Sequence, residues 1–203
     1  MEFSLSEEQI SIKEMAKSFS ESELMPYASD WDQKEFFPIE VLKKSAEIGL
    51  ASIYVDEKFG GSGLDRLSAA LVFEELSRGC VSTAAFLSIH NMVSWMIDSH
   101  GSDEIRQKFI PKLSSMELIS SYCLTEAGSG SDAAALKTSA KKKDNSYYII
   151  NGSKSFISGG PSSDLYAVMC RTGDDNYSGI SCILIEKGTK GLSFGKNEKK
   201  LGW

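Results

Sequence analysis

Small and hydroxyl-bearing residues crowd together just after a short apolar run in the middle of the chain. Gly128 and Gly130 permit backbone angles that other residues avoid, and they allow a ligand to approach the main chain. Thr125, Ser129 and Ser131 add hydroxyl groups. The loop therefore offers neutral hydrogen-bond donors to a ring carbonyl, a ring nitrogen or a phosphate. Composition alone favours the alternative, a tight turn between two strands.

Two sequence blocks change this balance. Residues 123–132 read Cys-Leu-Thr-Glu-Ala-Gly-Ser-Gly-Ser-Asp, with the small Ala135 three residues further on. Residues 151–160 read Asn-Gly-Ser-Lys-Ser-Phe-Ile-Ser-Gly-Gly. The first block resembles the signature of the acyl-CoA dehydrogenase family, and the second stands about where that family has its other flavin-contacting strand. Two spaced blocks are more specific than one glycine-rich loop, and the resemblance extends over nearly the whole chain.

Several shorter stretches narrow the resemblance to one branch of the family. Five stretches resemble the family members that oxidise isobutyryl-CoA in valine degradation. They are residues 60–64, 88–91, 95–98, 168–173 and 179–182. The resemblance implies an oxidoreductase that removes hydrogens from the α and β carbons of a short branched-chain acyl-CoA. In that reaction FAD accepts a hydride while a carboxylate takes the α-proton.

The resemblance also implies which residues line the flavin. Thr125 and Ser158 are expected to donate to the polar edge of the ring, where hydrogen bonds stabilise the reduced, more anionic form. Phe156 is expected to form an aromatic wall beside the ring, and Ser131 to contact the pantetheine arm of the substrate. For each hydroxyl alone, the alternative is a turn residue that bonds its own backbone. The predicted FAD-contacting residues are Tyr122, Cys123, Leu124, Thr125, Glu126, Ala127, Gly128, Ser129, Gly130, Ser131, Phe156, Ile157 and Ser158.

Two positions depart from the family pattern. Ala127 stands where the family commonly has proline, which loosens the loop slightly but removes no hydrogen-bond donor. Phe156 stands where many members have tryptophan. This second departure weakens an assignment to the straight-chain enzymes and favours the branched-chain resemblance.

Other functional parts of the family have no counterpart in this sequence. In the family, a C-terminal four-helix bundle supplies the catalytic glutamate, the rest of the acyl pocket, the adenine side of FAD and the main subunit interface. Glu126 lies in the signature but does not match that base, and Glu74 and Glu75 are predicted to be surface charges. We therefore expect no catalytic residue here and no turnover by these 203 residues alone. For the full-length protein, the resemblance implies electron-transferring flavoprotein as a partner and a homotetramer.

Two alternative functions stay open on the sequence. An acyl-CoA oxidase shares the fold but passes electrons to oxygen; the signature does not separate it from a dehydrogenase, although the short helical domain favours the latter. The second alternative is a non-catalytic, truncated flavin-binding or interaction module. A nicotinamide-binding Rossmann domain is disfavoured because no strand-GxGxxG-helix unit with a following acidic residue occurs.

Composition excludes several classes of partner. With 28 acidic and 22 basic residues, the net charge is -6, and this balance does not indicate a nucleic-acid-binding surface. No stretch approaches the roughly 18 apolar residues of a membrane span. The first residues lack the pattern of a secretory or transit peptide. We expect a soluble intracellular protein, cytoplasmic if bacterial, or in the mitochondrial matrix if eukaryotic with its leader removed.

The four cysteines do not predict a metal site. They include no CxxC pair and no histidine at ligand spacing, so zinc is not expected. Buried free thiols in a reducing compartment are the better interpretation. The cysteines are Cys80, Cys123, Cys170 and Cys182.

Helical signals dominate residues 1–118, the first predicted domain. Ser6 and Gln9 form a capping box that starts a helix, and Pro26 ends it. Pro111 is expected to bend or shorten the last helix. Further helices are predicted over residues 38–49, 67–79 and 82–100 and from residue 102 onward, with Ser82 and Ser102 as caps.

A histidine lies inside the most apolar of these helices. A residue such as His90 is usually a satisfied core residue; the sharper hypothesis is that His90 and Asn91 border the acyl pocket. No carboxylate partner is visible in the sequence to make His90 a base.

Beyond residue 118 the hydrophobic period changes from helical to alternating, so residues 119–203 are predicted to form a second domain. The resemblance implies that this domain is incomplete. Asn151-Gly152 is a strong signal for a type I′ hairpin turn. The predicted fold class is α+β: an all-α helical bundle followed by an antiparallel β-barrel or sandwich. The predicted strands are residues 119–125, 136–142, 146–151, 154–158, 165–172, 180–186 and 192–194.

Overall fold

A computed structural model describes residues 4–144, 147–173, 177–200 and 202. The chain divides into two compact units, one formed by Met1–Ile119 with Lys199–Trp203 and the other by Ser120–Glu198. The first unit is helical and the second is built on a sheet, which confirms the predicted fold class of a helical domain followed by a β domain. Among the described residues, no helix combines the length and the apolar content that a membrane span requires.

The first helix begins where the sequence predicts. Helix α1 spans Glu7–Phe19, and Ser6 and Gln9 satisfy each other's backbone amides in a capping box. The chain continues through one π-helical segment, Ser20–Leu24, before Pro26. Helix α2, Ala28–Gln33, has no side-chain cap and was not predicted. It is too short to show a helical period in the sequence.

The described part of this unit also contains four longer helices: α3 (Ile39–Glu47), α4 (Arg66–Gly79), α5 (Val81–His100) and α6 (Asp103–Ser114). Asp65 caps α4 and Ser102 caps α6, each by accepting from a backbone amide of the first turn. The predicted cap of α5 at Ser82 is wrong, because that helix follows Cys80 directly and has no side-chain cap. Pro111 lies inside α6, and the helix continues past it to Ser114.

The core of the helical unit is formed mainly by α1, α3, α4 and α5. Its fully buried side chains include Leu42, Leu76 and Leu87. Glu75 of α4 is also buried, with 2% of its side chain exposed, so the prediction of a surface charge at this position is wrong. Lys13 and Arg78 each place a nitrogen 3.4 Å from its carboxylate, because a buried charge requires a partner.

The described residues of the second unit form five strands: β1 (Ser120–Cys123), β2 (Ser139–Lys143), β3 (Tyr147–Asn151), β4 (Leu165–Arg171) and β5 (Ile180–Glu186). Strands β2 and β3 pair antiparallel, as do β4 and β5. Strand β1 pairs parallel with β4, and β2 meets β4 through one parallel pair. The sheet is therefore mixed, and the predicted antiparallel order is wrong for these two pairings. Hairpin signals report only consecutive strands, whereas parallel pairing arises from longer crossovers.

Two predicted strands and one predicted turn are absent from the described part of the second unit. Residues 154–158 and 192–194 form no strand, and β3 is not followed by a hairpin at Asn151-Gly152. A Cβ atom on Gly152 would lie 2.3 Å from the hydroxyl of Thr138. Glycine thus allows a close approach here rather than a tight turn.

Candidate functional site

The two sequence blocks lie side by side in the sheet unit. The first segment, residues 122–132, begins with the last two residues of β1, and the second segment, residues 152–160, follows β3. The amide of Ser155 donates to the carbonyl of Thr125 at 2.8 Å. The Nζ atom of Lys154 donates to the carbonyl of Leu124, also at 2.8 Å. The structure therefore brings together residues that are about thirty positions apart in the sequence.

An ion pair joins the same two segments. Lys154 Nζ lies 2.9 Å from Oε1 of Glu126, and the two side chains are only 9% and 11% exposed. Glu126 also accepts hydrogen bonds from the backbone amides of Lys137 at 2.7 Å and Thr138 at 2.9 Å. One carboxylate thus ties the first segment to the second and to the residues that lead into β2.

These contacts keep Glu126 ionised. Burial raises the pKa of this carboxyl, but hydrogen bonds from Thr138, Lys154 and Lys137 outweigh burial and lower the pKa to about 2. A carboxylate with this pKa, already engaged by three residues, is a poor proton acceptor at neutral pH. The environment of Glu126 therefore agrees with the expectation that it is not a base.

A tight turn shapes the first segment. Glu126 and Ser129 exchange backbone hydrogen bonds of 3.0 and 3.1 Å across Ala127 and Gly128. The hydroxyl of Ser129 is buried and donates to the carbonyl of Asp132 at 2.7 Å. The hydroxyl proton of Ser129 is therefore already donated within the turn. This matches the alternative in which a serine of this segment only bonds its own backbone.

The two glycines of the first segment are exposed and have no close neighbours. Neither Gly128 nor Gly130 has a positive φ, so the expectation that they supply backbone angles unavailable to other residues is wrong. A Cβ atom at either position would meet nothing within 4 Å among the described residues. Neither backbone strain nor packing within the described chain requires glycine at these positions. The main chain here is instead accessible to a ligand.

Two predicted donors of the first segment retain their hydroxyls for a ligand. Thr125 is half-buried and Ser131 is exposed. Across the described ranges, neither of these side chains makes a hydrogen bond within the protein. Ser158, in the second segment, is half-buried, and its carbonyl accepts from the hydroxyl of Ser121 at 2.6 Å.

Phe156 has a strained backbone and an exposed ring. Its φ is 57°, in the left-handed region that side chains other than glycine rarely adopt, and 66% of the residue is exposed. The next residue, Ile157, packs against Cys123, Tyr166 and Val168 in the core of the sheet unit. Strain of this kind is concentrated at functional sites, where the surroundings hold it in place. An exposed aromatic ring on such a backbone suits stacking against a ligand.

The packing of Ile157 and Cys123 limits what those two predicted site residues can contribute. Both side chains lie in the core cluster, and burial raises the pKa of the Cys123 thiol to about 12, so it is no nucleophile. Tyr122 is half-buried, and burial raises its pKa also. Cys123 and Ile157 can therefore contact a ligand mainly through their backbones.

Sequence reasoning missed the residues that hold the second segment in place. Ser121 and Tyr166 are register partners in the parallel β1–β4 pair. The hydroxyl of Ser121 is 2.7 Å from that of Ser163, and the hydroxyl of Tyr166 lies 2.7 Å from the carbonyl of Gly160 and 2.6 Å from that of Ser163. The signal available in the sequence was a pair of serines at a buried strand position, which is unusual in a sheet core.

The histidine and asparagine of α5 belong to the core of the helical unit. His90 is fully buried and donates through Nε2 to the carbonyl of Leu113 at 2.9 Å. Asn91 accepts from the amide of Ile53 at 2.7 Å and donates to the carbonyls of Leu50 and Leu87 at 2.9 Å. The structure agrees with the interpretation of His90 as a satisfied core residue, and it gives the side chain of Asn91 a structural role.

The arrangement suits a flat ring that carries hydrogen-bond acceptors rather than a metal ion. It offers neutral hydroxyls, an accessible main chain at two glycines and an exposed aromatic side chain, all within the sheet unit. Groups of these kinds can contact a planar cofactor such as an isoalloxazine. Within the described ranges, no group of three or more histidine, cysteine, aspartate or glutamate residues could hold a metal ion.

Comparison with known proteins gives the two units their family. Residues 6–117 match the profile of the acyl-CoA dehydrogenase N-terminal domain, and residues 121–203 match that of the acyl-CoA dehydrogenase middle domain. Mitochondrial isobutyryl-CoA dehydrogenase from Bos taurus is 53% identical over 199 residues, and that from Dictyostelium discoideum is 54% identical over 200 residues. Each alignment covers 98% of this chain but 48% of the relative. The chain thus spans about half the length of these relatives.

Solved structures show the same fold. Butyryl-CoA dehydrogenase from Megasphaera elsdenii superimposes with a TM-score of 0.90 at 33% identity, over 98% of this chain and 54% of that one. An FAD complex of PigA gives a TM-score of 0.91 at 33% identity, over 97% of this chain and 52% of that one. With both units matched in order and nearly the whole sequence aligned, the chain belongs to the acyl-CoA dehydrogenase family.

Proposed function

We propose that the full-length protein is an FAD-dependent dehydrogenase that oxidises a short branched-chain acyl-CoA such as isobutyryl-CoA, as in valine catabolism. Family membership and the identity to two isobutyryl-CoA dehydrogenases support this proposal. The observation that carries it is the contact between the two segments, where Ser155 bonds Thr125 and Lys154 pairs with Glu126. Without that contact, the hydroxyls of Thr125 and Ser158 would belong to unrelated parts of the surface.

We assign the FAD contacts to the first segment and to residues 156–158 of the second. Bound FAD would supply the hydride acceptor for the β-carbon of the substrate. Thr125 and Ser158 would donate hydrogen bonds to the polar edge of its ring, and Phe156 would cover the ring from the side. Donors aimed at the place where negative charge develops stabilise the reduced form more than the oxidised one. The main chain at Gly128 and Gly130 would lie against the cofactor.

For the substrate, we assign one contact within this chain and place the base elsewhere. Ser131, exposed beyond the turn, would hydrogen-bond the pantetheine arm of the acyl-CoA. The carboxylate that removes the α-proton would come from a part of the full-length protein outside these 203 residues, because Glu126 is engaged by Lys154 and two amides. On this proposal the 203 residues do not turn over alone.

We further propose electron-transferring flavoprotein as the electron acceptor and a homotetramer as the assembly. Both proposals rest on the family membership of the chain, and isobutyryl-CoA as substrate rests on the relatives from two organisms.

The test uses the purified full-length protein. We expect a yellow protein whose flavin absorption is bleached by isobutyryl-CoA under anaerobic conditions and returns slowly when air is admitted. Prompt reoxidation with formation of peroxide would identify an acyl-CoA oxidase instead. A colourless protein that stays colourless with added FAD would support the non-catalytic module. Rates with isobutyryl-, 2-methylbutyryl- and butyryl-CoA then test the acyl chain, and a clear preference for butyryl-CoA would contradict the branched-chain assignment.

A further inference from the structure

The Glu126–Lys154 ion pair lies where three parts of the sheet unit meet. Lys154 donates to Glu126 and to the carbonyl of Leu124, at the start of the first segment. Glu126 accepts the amides of Lys137 and Thr138, which lead into β2. Both charged side chains are about nine-tenths buried, so water does little to screen them from each other or from their surroundings.

The pair provides a link that the sheet itself does not provide. No strand ladder joins the first and second segments within the described residues, since both have left the sheet before they meet. The Ser155 amide bond to Thr125 is adjacent to Lys154, so its geometry depends on where Lys154 is held. A buried ion pair with further hydrogen bonds on both partners fixes one arrangement more firmly than a surface pair does.

We propose that the Glu126–Lys154 pair is a positioning device for the flavin site, which holds the Thr125 hydroxyl and the residues 156–158 at a fixed separation and cancels its own charge beside the ring. This inference rests on the proposed function. Glu126 directly follows Thr125, the residue assigned to the polar edge of the ring. Removing one partner therefore both loosens the two segments and leaves an uncompensated charge of known sign next to the ring.

The sign of that remaining charge separates positioning from a general loss of structure. With Lys154→Met, the Glu126 carboxylate remains and disfavours the more anionic reduced flavin. With Glu126→Gln, the Lys154 ammonium remains and favours the reduced flavin. The two single variants should therefore shift the relative affinity for reduced and oxidised FAD in opposite directions, whereas a merely disordered site would shift both in the same direction.

The experiment measures FAD binding by the full-length protein in its oxidised and reduced forms. The variants are Lys154→Met, Glu126→Gln and the double variant, and the matched control is Lys190→Met, an exposed lysine of the same unit. We expect each single variant to bind oxidised FAD about tenfold or more weakly. The preference for reduced FAD should shift in opposite directions in the two single variants and return towards wild type in the double variant, with affinity still low.

A second measurement reports on the two segments without cofactor. Hydrogen exchange at the Ser155 amide, which bonds Thr125, should quicken in both single variants and stay unchanged in Lys190→Met. If Lys154→Met does not fold, the test rests on Glu126→Gln, which keeps the size of the side chain. Its FAD affinity and the exchange rate of its Ser155 amide then decide whether the ion pair positions the two segments. Two results would overturn the inference and leave the proposed function standing. One is wild-type FAD affinity together with wild-type protection of the Ser155 amide in the single variants. The other is a shift of the preference for reduced FAD in the same direction in both single variants. Failure of the wild-type protein to bind FAD would instead overturn the proposed function.

Discussion

The amide of Ser155 donates a 2.8 Å hydrogen bond to the carbonyl of Thr125. This contact joins the loop that leaves β1 to a segment that forms no strand of its own. Because Lys154, the neighbour of Ser155, also reaches the carbonyl of Leu124, two consecutive residues hold two others in register. The surface that they create is the one to which we assign the flavin.

Removing the two assigned hydroxyls should weaken FAD binding. In the full-length protein we expect Thr125→Val and Ser158→Ala each to lower the affinity for FAD by about tenfold, and by more for reduced FAD, because each removes a donor to the polar edge of the ring. Spectroscopic titration measures both affinities. Thr189→Val is the control, since that hydroxyl bonds the carbonyl of Glu186 outside the proposed site. If the double variant Thr125→Val/Ser158→Ala binds FAD with wild-type affinity, the assignment is contradicted.

Adding a methyl group at Gly128 should separate stability from binding. A Cβ atom there meets no described atom within 4 Å, so Gly128→Ala should keep or slightly raise stability, by up to about 1 kcal/mol, through a less flexible unfolded chain. FAD affinity should fall, because the methyl group occupies space that we assign to the cofactor. Gly195→Ala, equally open, should have the same small effect on stability but should leave the FAD affinity unchanged. Chemical denaturation and titration measure the two effects, and a large loss of stability in Gly128→Ala would be inconsistent with the open geometry.

Truncating Asn91 should destabilise the helical unit. Its side chain satisfies the amide of Ile53 and the carbonyls of Leu50 and Leu87, all of them buried. Asn91→Ala leaves these groups without partners, so we expect a loss of about 3 kcal/mol in the free energy of unfolding. Denaturant titration of Asn91→Ala against Ser99→Ala, an exposed position on the same helix, provides the comparison. If Asn91→Ala lowers the free energy of unfolding no more than Ser99→Ala does, the loop at residues 50–53 is held by other contacts.

His90 should make stability depend on pH. Burial lowers the pKa of His90 from 6.5 to about 4, and its bond to the Leu113 carbonyl only partly opposes burial. Between these values the unfolded chain binds a proton that the folded chain does not, so stability is complete above pH 6.5 and falls as the pH drops towards 4. The loss amounts to roughly 3 kcal/mol over the whole window.

The measurement is the free energy of unfolding of wild type and His90→Gln at several pH values between about 4.5 and 7. The variant should be less stable at neutral pH but should show a flatter dependence in this window. His100→Gln, at the exposed end of the same helix, controls for the change in side-chain type. A slope in His90→Gln equal to that of wild type would show that other groups govern the acid response.

Local features of the sequence predicted local structure well. The capping box at Ser6 and the cap at Ser102 involve partners three residues apart, so the residue types alone fix the start of α1 and α6. The change from helical to alternating hydrophobicity predicted a helical domain followed by a sheet domain, and this order is confirmed. The two blocks predicted the family, which the comparisons confirm.

Side-chain burial and strand direction were harder to predict from the sequence. Glu75 was expected on the surface but is buried, with Lys13 and Arg78 beside its carboxylate, and the Lys13 contact comes from another helix that a reading of α4 alone does not include. The parallel pairing of β1 with β4 was not predicted, since it depends on the path of the chain between them. Phe156 carries no sequence signal for its left-handed backbone, which its surroundings impose.

By itself, the sequence determined which residues carry hydroxyls, glycines and an aromatic ring in two separate blocks, and which short-range bonds start the helices. Only the tertiary structure decided that Thr125 and Ser155 share a hydrogen bond and that Glu126 and Lys154 form a buried ion pair. The reason is how far apart the two partners lie along the chain. A cap is satisfied within one helical turn, whereas a contact between residues 28 positions apart exists only after the sheet has fixed where both segments emerge.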